Sequence, residues 1–137
     1  MLLSTMQYEV NTDGSGSDLD EDDVMAALSA SLETWDYLGS SGIIAANYFW
    51  FNPATKEMIE SDVRFNTYYA WSVADTCSGN MMDLQNIATH EFGHAGLNDL
   101  YLSKTAELTM YGYSSDGETK KRTLGTGDIS GIQALYG

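Results

Sequence analysis

Apolar side chains recur at helical spacing at Val24, Leu28, Leu32, Trp35 and Leu38, which predicts a helix over about 19–38. The acidic run from Asp18 to Asp23 sits at the positive N-terminal end of that helix. Ahead of it, Tyr8, Glu9, Val10 and Asn11 suit a short strand, followed by Gly, Ser and Asp loop chemistry. An apolar and aromatic run over 43–51, bounded by Gly42 and by Asn52 and Pro53, predicts a buried strand. Over 59–66 apolar and polar residues alternate, which predicts a half-exposed strand near a sheet edge. A helix is expected over 83–95, with Asp83 as N-cap and Gly96 as its stop. Beyond it, Gly112, Gly117, Gly125 and Gly127 argue for irregular backbone until a last helix over 128–135.

The chain has 137 residues, one domain's worth, and 43% of them are apolar, as in a folded globular protein. A formal net charge of −14 opposes attraction to nucleic acid or anionic lipid and favours solubility. No apolar run approaches the length of a membrane span, and the first residues lack the pattern of a signal peptide, so an export signal would lie outside this sequence. The single cysteine, Cys77, excludes an intrachain disulfide framework. Asp18, Asp20 and Asp22 alternate as in a calcium loop, but Asp23 stands where such a loop needs glycine and Ser29 where it needs glutamate, so calcium is unsupported.

The candidate chemistry lies in His90-Glu91-Phe92-Gly93-His94, which fits H-E-x-x-H. Residues four apart share a helix face, so both imidazoles can reach one metal ion, and Glu91 can face the site as general base without being a ligand. These are the only two histidines in the chain. The third ligand therefore comes from Asp99, Glu107, Glu118 or Cys77, with Asp99 the nearest acid past the turn.

Continued to His90-Glu91-Phe92-Gly93-His94-Ala95-Gly96-Leu97-Asn98-Asp99, the motif resembles that of the metzincin metallopeptidases, and within them the matrixins. Leu108-Thr109-Met110-Tyr111 is similar to the family's Met-turn, and 127–137 is similar to its closing helix. Ser61-Asp62-Val63-Arg64-Phe65-Asn66 resembles its substrate-binding edge strand, and the segment bearing Trp35 its first helix. The resemblance implies an α/β fold: a twisted, mostly parallel sheet with an antiparallel edge strand, two long helices and a C-terminal helix. It implies one catalytic domain, with sheet and active-site helix in 1–95 and an irregular Met-turn part in 96–137. It implies Zn2+ on His90, His94 and Asp99, Met110 beneath the metal, Tyr113 as a transition-state stabiliser, and extended substrate on Val63, Arg64 and Phe65. It further implies a secreted, monomeric endopeptidase acting on peptide or protein, with no nucleic-acid or membrane partner.

The motif is one residue shorter than the family's, with only Ala95 between His94 and the glycine. Losing one helical residue removes about 100° of rotation and about 1.5 Å of rise, which predicts a displaced Asp99. On that expectation, inserting a residue between Ala95 and Gly96 would tighten zinc binding. If Asp99 were out of reach, the chain would be a metzincin-like binding module instead. Finally, Lys120, Lys121 and Arg122 form the densest basic cluster, read as a solvated loop or, alternatively, as a patch drawing acidic side chains to the cleft.

Overall fold

The structure is a computed structural model that describes the backbone of residues 2–9 and the whole of residues 42–137. The expected helix over 19–38 and its acidic lead-in lie outside the described residues. A three-stranded sheet runs in the order β1 (Leu2–Glu9), β2 (Ile43–Phe51), β3 (Met58–Phe65). The strand expected at Tyr8 to Asn11 thus begins earlier, at Leu2, and its described part ends at Glu9. β2 has the expected limits, and its seven inner residues, Ile44 to Trp50, are all buried, which is why its sequence is apolar without alternation. β3 starts and ends one residue before the expected 59–66 and is exposed over its first half, as an edge strand should be.

β1 pairs with β2 in parallel and β2 with β3 antiparallel. The antiparallel edge agrees with expectation; among the described residues this sheet has one pairing of each kind. A second, two-stranded parallel ladder joins β4 (Trp71–Ser72) to β5 (Met82–Asp83). Two helices follow, α1 (Leu84–Gly93) and α2 (Thr126–Tyr136), with single 3-10 turns at Ser103–Thr105 and Lys120–Arg122. Ile44, Ala45, Met82 and Ile87 form the buried core, with Phe65, Tyr69 and Trp71 packed against it, so Ile87 fastens α1 to the sheet.

α1 begins where expected, because Asp83 accepts a hydrogen bond from the Asn86 amide at 2.7 Å. It ends earlier than expected, and the backbone then tightens into three-residue turns, His94 N to Glu91 O and Ala95 N to Phe92 O. Gly96 is not a left-handed cap. A side chain there would lie 2.9 Å from Leu135 and 3.1 Å from Tyr136, so the glycine lets α2 close against the chain. α2 starts two residues earlier than expected, because the Asp128 carboxylate accepts from the Gly125 amide at 2.9 Å and closes the first turn.

A candidate zinc centre at the end of α1

The face of α1 that carries Asn86, Ile87, His90 and Glu91 is buried, and His94 follows on the same side. His90 Nδ1 lies 2.7 Å from the Thr109 carbonyl, and His94 Nδ1 lies 2.9 Å from the Leu97 carbonyl. A carbonyl only accepts, so each ring carries its proton on Nδ1 and presents the Nε2 lone pair inward. The two rings stand edge to face, with centroids 4.9 Å apart.

Asp99 Oδ1 lies 3.1 Å from His90 Nε2 and 3.7 Å from His94 Nε2. Among the described residues this is the one group of three potential ligands, and it is buried or nearly so. Tetrahedral zinc with bonds of about 2.0–2.1 Å holds its ligand atoms about 3.3–3.4 Å apart, between the two measured spacings. An extra proton on His90 would bridge one of these contacts, whereas a dication satisfies all three donors, so the residues present fit zinc. Burial lowers the His94 pKa, helped by the nearby His90, which favours the neutral ring that a ligand requires. At Asp99, burial works against ionisation, but the His90 and His94 imidazoles facing it outweigh this and keep the carboxyl below the usual range.

Glu91 is fully buried, and neither of its carboxylate oxygens has a hydrogen-bond partner among the described residues. Burial first, then the Asp99 charge, pushes its pKa up to about 9. A cation at the cluster would act in the opposite direction. Asn47, in the middle of β2, ties this end of α1 to the sheet: its amide donates to the Glu91 carbonyl at 2.8 Å and accepts from Ser61 at 3.0 Å.

Asp99 is not displaced as the short motif predicts, because contacts on three sides hold the segment that delivers it. Leu97 N bonds to Gly93 O at 2.9 Å, and Leu97 O meets the His94 ring. α2 grips the same stretch: Tyr136 donates to the Ala95 carbonyl at 2.7 Å, and Gly131 leaves room for Leu97, which a Cβ would approach to 2.7 Å. Finally, Leu100 N to Met110 O at 2.8 Å and Gly112 N to Leu100 O at 2.9 Å stitch the strand beyond Asp99 to the Met-turn. The turn itself is closed by Tyr111 N to Leu108 O at 3.2 Å, with Met110 buried against α1 at Gly93, where a side chain would overlap its sulfur. Asp128 links α2 to this turn by accepting from Thr109 N at 3.1 Å, and the Thr109 carbonyl in turn orients His90.

This packing reverses the expectation for an added residue. An insertion between Ala95 and Gly96 should pull Leu97 and Asp99 out of register and weaken zinc binding by about tenfold or more in chelator competition; tighter binding would contradict the packing argument.

The other candidate ligands stand elsewhere. The Glu107 side chain is 85% exposed and pairs with Lys120 at 3.5 Å. Cys77 is half-buried and faces the Met81 carbonyl at 3.3 Å. Glu118 accepts from Lys121 at 2.6 Å and from Ser114 at 2.9 Å. The basic cluster is therefore not simply a solvated loop: Lys120 and Arg122 keep part of their surface exposed, but Lys121 does not. Lys121 is fully buried and also donates to the Tyr113 carbonyl at 2.7 Å, while Arg122 pairs with Asp83. Replacing Lys121 by Met should destabilise the fold by about 3 kcal/mol, because Glu118 loses its partner inside the protein; chemical denaturation measures this, and an unchanged midpoint would refute it.

β3 has no second partner strand among the described residues, so its outer edge carries unused backbone groups. Val63 and Phe65 line, with Phe92 of α1 and Ala95 just beyond it, a hollow of about 520 Å³, while Arg64 lies over the Tyr48 ring at 5.9 Å. Tyr113 is 44% exposed, with its ring against Tyr101 at 5.6 Å. Sequence reasoning passed over Tyr101, whose phenol lies beside the Asp99 carboxylate at Gly112. Its position two residues after a ligand was the available signal.

The family model for matrixins matches residues 31–137, spanning the motif, the Met-turn and α2. No curated protein and no solved structure matches the chain. The chain belongs to the matrixin family, a family of peptidases whose members generally use zinc and are typically secreted.

Proposed function

We propose that this matrixin-family chain is a zinc-dependent endopeptidase, with His90, His94 and Asp99 as the metal ligands. The observation that carries the reading is the convergence of two Nε2 lone pairs and one carboxylate oxygen at spacings of 3.1 and 3.7 Å. Bound zinc supplies Lewis acidity, polarising a scissile carbonyl and making water a competent nucleophile near neutral pH. Glu91 takes the proton of the attacking water and delivers it to the departing amine; burial and the Asp99 charge favour its protonated form, and a bound cation would return it to the carboxylate that a base requires. Met110 forms the apolar floor of the site, and the tautomers held by Thr109 and Leu97 keep both imidazoles aimed.

Substrate is an extended peptide or protein segment that adds to the free edge of β3 at Val63, Arg64 and Phe65. Tyr113 is the candidate donor to the tetrahedral intermediate. The enzyme acts as an extracellular monomer without nucleic-acid or membrane partners; no described helix is long and apolar enough to cross a membrane. The acidic run from Asp18 to Asp23, the segment weighed for calcium, lies outside the described residues.

Metal analysis of the purified protein, paired with cleavage of an unstructured peptide, tests the proposal. One zinc per chain is expected, with cleavage abolished by a chelator and restored by zinc. Stoichiometric zinc without cleavage would favour the alternative, a metzincin-like binding module.

A further inference from the structure

Each histidine of the cluster has an outer partner that fixes its ring, Thr109 O for His90 and Leu97 O for His94. Asp99 needs the same help more than they do, because it rises from a segment without a helix to orient it. The ladder between Leu100 and the Met-turn fixes the backbone on one side of Asp99 but leaves its side-chain torsions unspecified. In the extended bridge at Leu100, residues 99 and 101 project to the same side, which brings a phenol beside the carboxylate.

The phenol end of Tyr101 and the Asp99 carboxylate both close on the backbone of Gly112. The ring is held although half of it is exposed. A Cβ at Gly112 would come within 3.0 Å of Tyr101 Cζ and 3.2 Å of Asp99 Oδ1, so the glycine is what allows ring and carboxylate to share this space. On its other side the ring meets Tyr113 edge to face, with centroids 5.6 Å apart at 73°.

We propose that Tyr101 is a positioning residue for the third ligand: its phenol donates to the Asp99 carboxylate and, with the ring seated on Gly112, turns Oδ1 toward His90 and His94. The inference rests on the zinc reading above and deepens it. A carboxylate so held keeps one orientation toward the metal, leaving the remaining coordination position to substrate and water.

The test compares zinc-loaded wild type, Tyr101→Phe and Tyr111→Phe, with zinc affinity read by chelator competition and the ligand field read from the visible spectrum of the cobalt-substituted proteins. Tyr101→Phe keeps the ring and removes only the hydroxyl. It should weaken zinc binding by about 10- to 100-fold and shift the cobalt bands, with the unfolding midpoint of the metal-free protein unchanged. Tyr111→Phe, a neighbour in the same aromatic group, should leave affinity and spectrum at wild-type values. Wild-type affinity and spectrum in Tyr101→Phe would overturn the proposal, as would an equal loss in both variants, which would point to aromatic packing alone. Failure of the wild type itself to bind zinc would instead overturn the zinc reading, and this inference with it.

Discussion

Glu91→Ala is expected to bind zinc as wild type does while kcat/KM for peptide cleavage falls by about 10²- to 10⁴-fold, the usual range for a lost general base. The three ligand atoms belong to His90, His94 and Asp99, so their arrangement survives the substitution. What disappears is a buried carboxyl, 0% exposed, whose two oxygens have no other partner among the described residues. The same substitution should not destabilise the metal-free protein and could stabilise it, because a buried, unsatisfied carboxyl is itself unfavourable. A variant that cleaves peptide at wild-type rates would remove Glu91 from the mechanism.

Asp99→Ala is expected to act on the metal itself. Apparent zinc binding of about 10–16 kcal/mol spread over a four-ligand set puts one ligand at about 3–4 kcal/mol, so affinity should fall by about two to three orders of magnitude. Zinc should then cease to protect the fold at concentrations where it stabilises the wild type by about 2.7 kcal/mol, the gain at one hundred times the dissociation constant. Glu107→Ala and Cys77→Ala should change neither quantity, since one side chain points to solvent and the other faces the Met81 carbonyl. Tight zinc binding in Asp99→Ala would show that the third ligand comes from elsewhere.

The parts of this molecule legible in the sequence were those set by local or periodic rules. β2 shows itself as a mostly apolar run without alternation because it is buried on both faces, α1 starts at a side chain that caps its own helix, and H-E-x-x-H works through spacing on a single helix. What stayed hidden depends on long-range packing. The one-residue deletion suggested a misplaced Asp99, because helical arithmetic assumes a continuing helix, whereas the chain leaves the helix at Gly93 and is held by α2 and the Met-turn. Gly96 reads as a helix stop and Gly112 as a loop signal, yet each leaves room for a particular side chain, Tyr136 or Tyr101, as Gly93 within α1 does for Met110. Lys121 reads as a surface charge because its partners, Glu118 and the Tyr113 carbonyl, are brought round it by the fold of the same loop.

Zinc K-edge X-ray absorption of the purified, zinc-loaded protein tests the donor set most directly. The account predicts one zinc per chain, bound by two imidazole nitrogens and a carboxylate oxygen at about 2.0–2.2 Å with an exchangeable light-atom ligand completing the shell. A sulfur scatterer at about 2.3 Å, or a single imidazole, would contradict it.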